Sequence, residues 1–212
     1  MLVGLELDGG TPVPRDEWVD RKVRDGNRDG RVLRAARRPS AEEVASAVLR
    51  ARLAPVVLVT GGRDRDPTAE ELAVLDRVVR RLRARGVWVG DCPSGVDAVV
   101  RGWASRTGTP LRVFAADERR ACYLERLGVE VVRASDWSRD GRRAGPVRNA
   151  RMVADAGGRA LLVAWPGGQG TEDAVLRARR AHLPVVQVAV ALRSPADLDG
   201  DLVAWASQWG AG

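Results

Sequence analysis

Residues 55–62 read PVVLVTGG. An unbroken apolar run rich in β-branched residues ends in paired glycines. A run this short, closed by turn residues, predicts a strand buried on both faces. The period then changes. TAEELAVLDRVVRRLRARG (68–86) has apolar residues at helical spacing, with Thr68 and Glu71 as a capping box and Gly86 as its stop. A buried strand followed by an amphipathic helix is half of a βαβ unit.

The same alternation continues to the C-terminal side. VWVGDC (87–92), LRVFAA (111–116), VEVVRAS (129–135), ALLVAW (160–165) and PVVQVAV (184–190) read as strands. Between them SGVDAVVRGWASRTG (94–108), DERRACYLERLG (117–128), GPVRNARMVADAGG (145–158) and TEDAVLRARRAHL (171–183) read as helices. Strands alternating with helices of this length predict an α/β fold: a Rossmann-like, doubly wound parallel sheet with helices on both faces. The expected organisation is an N-terminal extension with one helix (1–54), the Rossmann-like domain (55–192) and a C-terminal tail (193–212). In the extension, SAEEVASAVLRARL (40–53) reads as a helix with Ser40 and Glu43 as its capping box. Residues 1–39 mix glycine, proline and charge, and fit a hairpin, an arm or a packed extension. In the tail, Trp205 and Trp209 stand four apart and fit a helix face or an oligomer contact.

Composition narrows the function. The chain has 212 residues, 45% hydrophobic and 30% charged, which suits a soluble globular protein. Its apolar runs fall short of the roughly 20 residues that span a bilayer, and its start is unlike a signal peptide. With only Cys92 and Cys122 there is no disulfide framework, and a cytoplasmic, non-membrane protein is expected. The formal charge of +7 admits a nucleic-acid partner. Against that, the arginines are spread along the chain, and Lys22 is the lone lysine, as GC-rich coding would give. His182 is the single histidine and sits at a helix end, which suits a dipole or capping role better than a nucleophile's partner. No His/Cys/Asp cluster has metal-ligand spacing, so no metal and no resident cofactor are expected.

In open parallel sheets ligands bind beyond the carboxyl ends of the strands. Three loops there stand out: Thr60-Gly61-Gly62-Arg63, Gly90 to Asp97 with Ser94 and Gly95, and Pro166-Gly167-Gly168-Gln169-Gly170-Thr171. Their glycines allow close backbone approach, and each loop opens onto a helix start that attracts phosphate. Each also has a plainer reading. Any strand-to-helix turn can carry glycine, Thr171 fits an N-cap, and Asp97 fits a capping-box carboxylate after Ser94. The loops match neither the Walker pattern nor GxGxxG. Arg148 and Asn149 fall in the first turn of a helix between the last two strands. There an arginine can pair with a phosphate or carboxylate, or simply be one of many surface arginines.

Taken in order, VLVTGGRD, GDCPSGVDAVVRGWA, SDWSRDGRRAGPVRNARM and LLVAWPGGQGTEDAVLRARRAHLPVV resemble the YspA-like branch of the SLOG superfamily, over about residues 55–190. That superfamily includes the "Lonely guy" phosphoribohydrolases and the DNA-uptake protein DprA. The resemblance implies a small nucleotide-type ligand with its phosphate on Pro166–Thr171, and a homodimer. In the phosphoribohydrolases an arginine and the glutamate of PGGxGTxxE support cleavage of an N-glycosidic bond. Arg148 matches that arginine, but Ala174 stands where the glutamate belongs. Three carboxylates can substitute: Asp97 on the neighbouring loop, then Asp173, then Asp136, which also fits an N-cap. Three readings follow: a nucleotide-binding sensor or partner module, an N-glycosidase acting on a nucleoside monophosphate or NAD-like ligand, and a DprA-like nucleic-acid binder.

Overall fold

The computed structural model of the chain describes residues 54–209 without a break, together with Leu7–Asp8, Thr11–Pro12, Ser40 and Glu42. The chain divides into two compact units, Met1–Val44 and Ala45–Gly212. In the first, Leu7–Asp8 and Thr11–Pro12 form a short antiparallel pair. The remainder of the expected helix over 40–53, including its Ser40–Glu43 capping box, lies outside the described residues.

The second unit is a Rossmann-like α/β fold around one parallel sheet. Its strands are β1 (Val56–Thr60), β2 (Gly86–Gly90), β3 (Leu111–Ala115), β4 (Glu130–Arg133), β5 (Ala160–Ala164) and β6 (Val185–Gln187). The six run in the order β4-β3-β2-β1-β5-β6, every neighbouring pair parallel. Helices α1 (Ala69–Arg81), α2 (Gly95–Thr107) and α3 (Glu118–Arg126) connect the first four strands. A short helix α4 (Trp137–Asp140) and a 3₁₀ turn (Gly141–Arg143) lead into α5 (Ala144–Ala156), and α6 (Gln169–Arg180) joins β5 to β6. A helical turn α7 (Val188–Ala191) and helix α8 (Pro195–Gln208) follow.

Alternation along the central strands builds two cores. Val57, Val59, Val87, Val89, Leu161 and Val163 face α1, α2 and α8, which contribute Leu75, Val78, Val100, Trp103 and Leu202. Val56, Leu58, Trp88, Phe114 and Leu162 face α5 and α6, which contribute Met152, Val153, Ala174 and Ala178. With both faces covered, the central strands have no exposed side, which is why their sequence is continuously apolar. α8 belongs to the first core: Leu198, Leu202, Ala206 and Trp209 are all buried there. The Trp205/Trp209 spacing therefore marks a helix face packed on its own domain. Among the described residues no helix is long and apolar enough to cross a membrane.

Several boundaries differ from the sequence reading. α1 carries the expected Thr68–Glu71 capping box but ends at Arg81, before Gly86. Arg83 takes the left-handed turn at φ 48°, and Gly86 instead opens β2. A side chain at Gly86 would meet the Pro110 carbonyl at 2.8 Å, so its glycine serves strand packing and not a helix stop. β6 stops at Gln187, because Val188 and Ala191 bury their side chains by turning as a helix. α5 starts at Ala144, lies between β4 and β5 and carries Arg148 in its second turn. α6 starts at Gln169, so Thr171 is its third residue and Gly168 its N-cap.

Connections run outward from β1 through β2 and β3 to β4. The chain then returns to lay β5 against the other side of β1. That reversal between β1 and β5 is the topological switch point, where open α/β sheets leave a crevice.

Candidate functional site

A cavity of about 860 Å³ opens at the carboxyl edge of the sheet, across the ends of β1, β2 and β3 and the starts of α5 and α6. At the switch point the ladder continues past the strands: Trp165 N donates to Thr60 O at 2.9 Å, and Gly62 N to Pro166 O at 3.1 Å. The two loops are therefore clamped backbone to backbone. A Cβ on Gly61 would meet Val96 and Trp165, and one on Gly167 would meet Thr171 Oγ1 and the Gly62 backbone nitrogen. Gly95 has φ +64° and packs on the Gly62 carbonyl and Arg63 backbone, an arrangement only glycine adopts without strain. Ser94 Oγ donates to Arg63 O at 2.9 Å, tying the β2 loop to the β1 loop.

The clamp leaves the first turn of α6, Gly168-Gln169-Gly170, on the cavity wall. The first backbone N–H groups of a helix have no partner within it and carry partial positive charge. Thr171 is buried beside them. Thr60, Gly62 and Arg63 line the same wall.

The opposite wall is ionic. Asp91, at the end of β2, is buried and accepts from Ala116 N at 2.8 Å and Asp117 N at 3.1 Å through Oδ2. Its Oδ1 accepts from Arg148 Nη1 at 3.1 Å. Arg148 Nη1 also lies 3.8 Å from Asp97 Oδ2. That same oxygen accepts from Cys92 N at 3.3 Å. Asp97 thus reaches back to the β2 loop and makes no capping box with Ser94, whose side chain is occupied elsewhere. Burial pushes the Asp97 carboxyl above the ordinary carboxylate value; the Arg148 cation, the Cys92 N–H and the Arg101 cation oppose it. Arg101 itself is spent on backbone, donating to Gly90 O at 3.1 Å and Cys92 O at 2.7 Å. Gly90 completes the cluster, since a Cβ there would fall on Arg148 Nη1 and Asp97 Oδ2.

Of the residues singled out in the sequence, Thr60, Gly61, Gly62, Arg63, Gly90, Asp97, Arg148, Asn149, Gly168, Gly170 and Thr171 line this one cavity. Ser94, Gly95, Pro166 and Gly167 hold its loops from behind. Asp173 is a brace: its Oδ2 accepts from Asn149 Nδ2 at 3.1 Å and from Arg177 Nε at 2.8 Å, while Asn149 Nδ2 also donates to Gly170 O at 3.0 Å. The two Asn149 bonds tie α5 to the first and second turns of α6. Asp136 is an N-cap, accepting from Ser138 N at 2.8 Å and Ser138 Oγ at 2.7 Å. Ala174 is fully buried in the apolar cluster with Met152 and Ala178.

Sequence reasoning placed Asp91 in the second loop without giving it a role, and passed over Arg120 and Trp137, all three of which line the cavity. Asp91 had a signal, an acidic residue immediately after a buried strand. Arg120 and Trp137 had only their positions beyond β3 and β4. Among the described residues, no three His, Cys, Asp or Glu side chains converge to hold a metal ion. Comparison with protein-family models, curated proteins and solved structures finds no match to the chain.

Proposed function

We propose that the cavity binds a nucleotide or nucleotide-derived ligand whose phosphate rests on the first turn of α6, and that the protein acts as a sensor or partner module. One observation carries this reading: two glycine loops clamped together at the switch point present a helix N-terminus to a cavity of about 860 Å³. That volume falls in the range of small-molecule sites, and a helix start with close backbone approach suits a phosphate. The reading agrees with the SLOG resemblance of residues 55–190, to which superfamily we assign the chain, and a homodimer belongs to the same proposal.

A second reading is favoured by Asp97. It is a buried carboxyl held up in pKa, beside Arg148 and in the same cavity. Such a group suits general acid–base work. In N-glycosidic hydrolysis Asp97 would give its proton to the departing base nitrogen as the C1′–N bond breaks. Water would add its oxygen to C1′ and return a proton to the carboxylate. Ala174, buried in the core, takes no part.

The test is incubation of the protein with nucleoside monophosphates, NAD and ADP-ribose, followed by calorimetry and by chromatography for free base. Binding without base supports the sensor module. Base that disappears in Asp97→Asn supports the hydrolase. Absence of both binding and turnover across the panel overturns the proposal.

A further inference from the structure

Trp137 breaks the pattern of the tryptophans in the described region. Trp88, Trp103, Trp165 and Trp209 are buried in the cores, whereas Trp137 is 44% exposed and lines the cavity. Its position is fixed. The backbone N–H of Trp137 donates to Ala116 O at 2.9 Å, pinning it to the end of β3. Asp136 caps the turn, and Ser135 Oγ donates to Asp140 Oδ2 at 2.6 Å across it. An indole facing a cavity from a backbone held in this way costs apolar exposure and adds nothing to the core; an aromatic plate is a surface on which a flat ring stacks. Arg120, from α3, lines the same end. Its guanidinium, 5.4 Å from the Tyr123 ring centroid, brings a fixed positive charge to that end, which favours the electron-rich edge of a ring.

This end is separate from the phosphate end. Trp137 and Arg120 gather at β3, the first turn of α6 at β5, and β2 and β1 lie between. At the usual strand spacing the two ends of the edge stand roughly 14 Å apart in backbone, so the Trp137 end and the phosphate end present different walls of the cavity to one ligand. We infer that Trp137 and Arg120 form a ring-binding subsite, so the ligand is a nucleotide laid along the sheet edge with its base on Trp137. The inference rests on the phosphate reading above.

The experiment titrates the wild-type chain, Trp137→Ala and Trp137→Phe with inorganic phosphate, ribose 5-phosphate and each of the four nucleoside 5′-monophosphates. Base stacking predicts at least one nucleotide binding about ten-fold tighter than ribose 5-phosphate to wild type. Trp137→Ala removes that advantage and leaves ribose 5-phosphate unaffected, and Trp137→Phe keeps most of it. Nucleotides binding no tighter than ribose 5-phosphate, or Trp137→Ala weakening both alike, overturns the ring subsite while the phosphate site stands. Failure of every phosphate ester to bind overturns both.

Discussion

Arg148 Nη1 donates to Asp91 Oδ1 at 3.1 Å, joining α5 to the end of β2 across 57 positions of sequence. Asp91 is the hub of that corner, because its other oxygen holds the backbone that starts α3. Arg148 is 18% exposed and Asp91 7%. Removing one partner of a buried pair leaves an uncompensated charge. Arg148→Ala should therefore cost about 3 kcal/mol, a fall in melting temperature of roughly 6–12 °C for a domain this size. Arg148→Ala with Asp91→Asn should recover part of the loss, giving a coupling above about 1 kcal/mol. Additive melting shifts for the two substitutions would show that the pair contributes nothing. This bears on function, since lost activity in Arg148→Ala alone does not separate ligand contact from a loosened site.

Gly90 tests the same cluster by sterics. A Cβ there would overlap Arg148 Nη1 and Asp97 Oδ2, and neither atom is free to swing away, being held by Asp91 and by the Cys92 N–H. Gly90→Ala should destabilise by about 1–3 kcal/mol, the usual cost of overpacking, and should weaken ligand binding as well. Thermal melts check the first effect and titration with a nucleoside monophosphate the second. A variant with wild-type melting and affinity would mean that Arg148 and Asp97 do not occupy that space.

Much of this corner was legible in the sequence, and the reasons divide sharply. Strand positions such as Val56–Val59 announce themselves, because burial on both faces demands an apolar residue at every step. Gly61, Gly62 and Gly167 mark loop ends, because close backbone approach selects that residue type. The pairing of Asp91 with Arg148 was not legible. Nothing local distinguishes those two residues from the many other aspartates and arginines; only the return of the chain from β4 to β5 brings them together. Asp173 was misread for a related reason. It adjoins Ala174, the position at which the resemblance expects a carboxylate, but the turn of α6 directs it at Asn149 and Arg177. Gly86 was misread because glycine marks both helix stops and tight strand contacts, and Pro110 decides which.

Asp97 makes a prediction about pH. Its carboxyl is raised from 3.8 chiefly by burial, so the folded state binds the proton more tightly than the unfolded state. The stability this gives is fully present below the unfolded value and is lost as pH rises through the folded one. Asparagine at this position has no such dependence. Urea unfolding of wild type and Asp97→Asn from pH 4 to pH 8 should thus show the variant gaining on wild type as pH rises. A difference that stays flat, or that moves in favour of wild type, would mean that Arg148 outweighs burial and that Asp97 is an ordinary paired carboxylate.

Gly170 separates the ligand from the fold. It is the second residue of α6 and lines the cavity, and a Cβ there meets no protein atom within 4 Å. Alanine is the better helix former, so Gly170→Ala should leave stability unchanged or raise it by up to about 1 kcal/mol. Its methyl group would nonetheless occupy the space from which a phosphate approaches the helix start. Affinity for a nucleoside monophosphate should fall about ten-fold, or 1.4 kcal/mol, while the melting temperature holds or rises. Gly167→Ala makes the contrast: its Cβ would collide with Thr171 Oγ1 and the Gly62 backbone, so stability and binding should both drop. Calorimetry on the two variants beside melting curves distinguishes a loop that holds a phosphate from one that only turns the chain. Undiminished affinity in a stable Gly170→Ala protein would remove the phosphate from the first turn of α6.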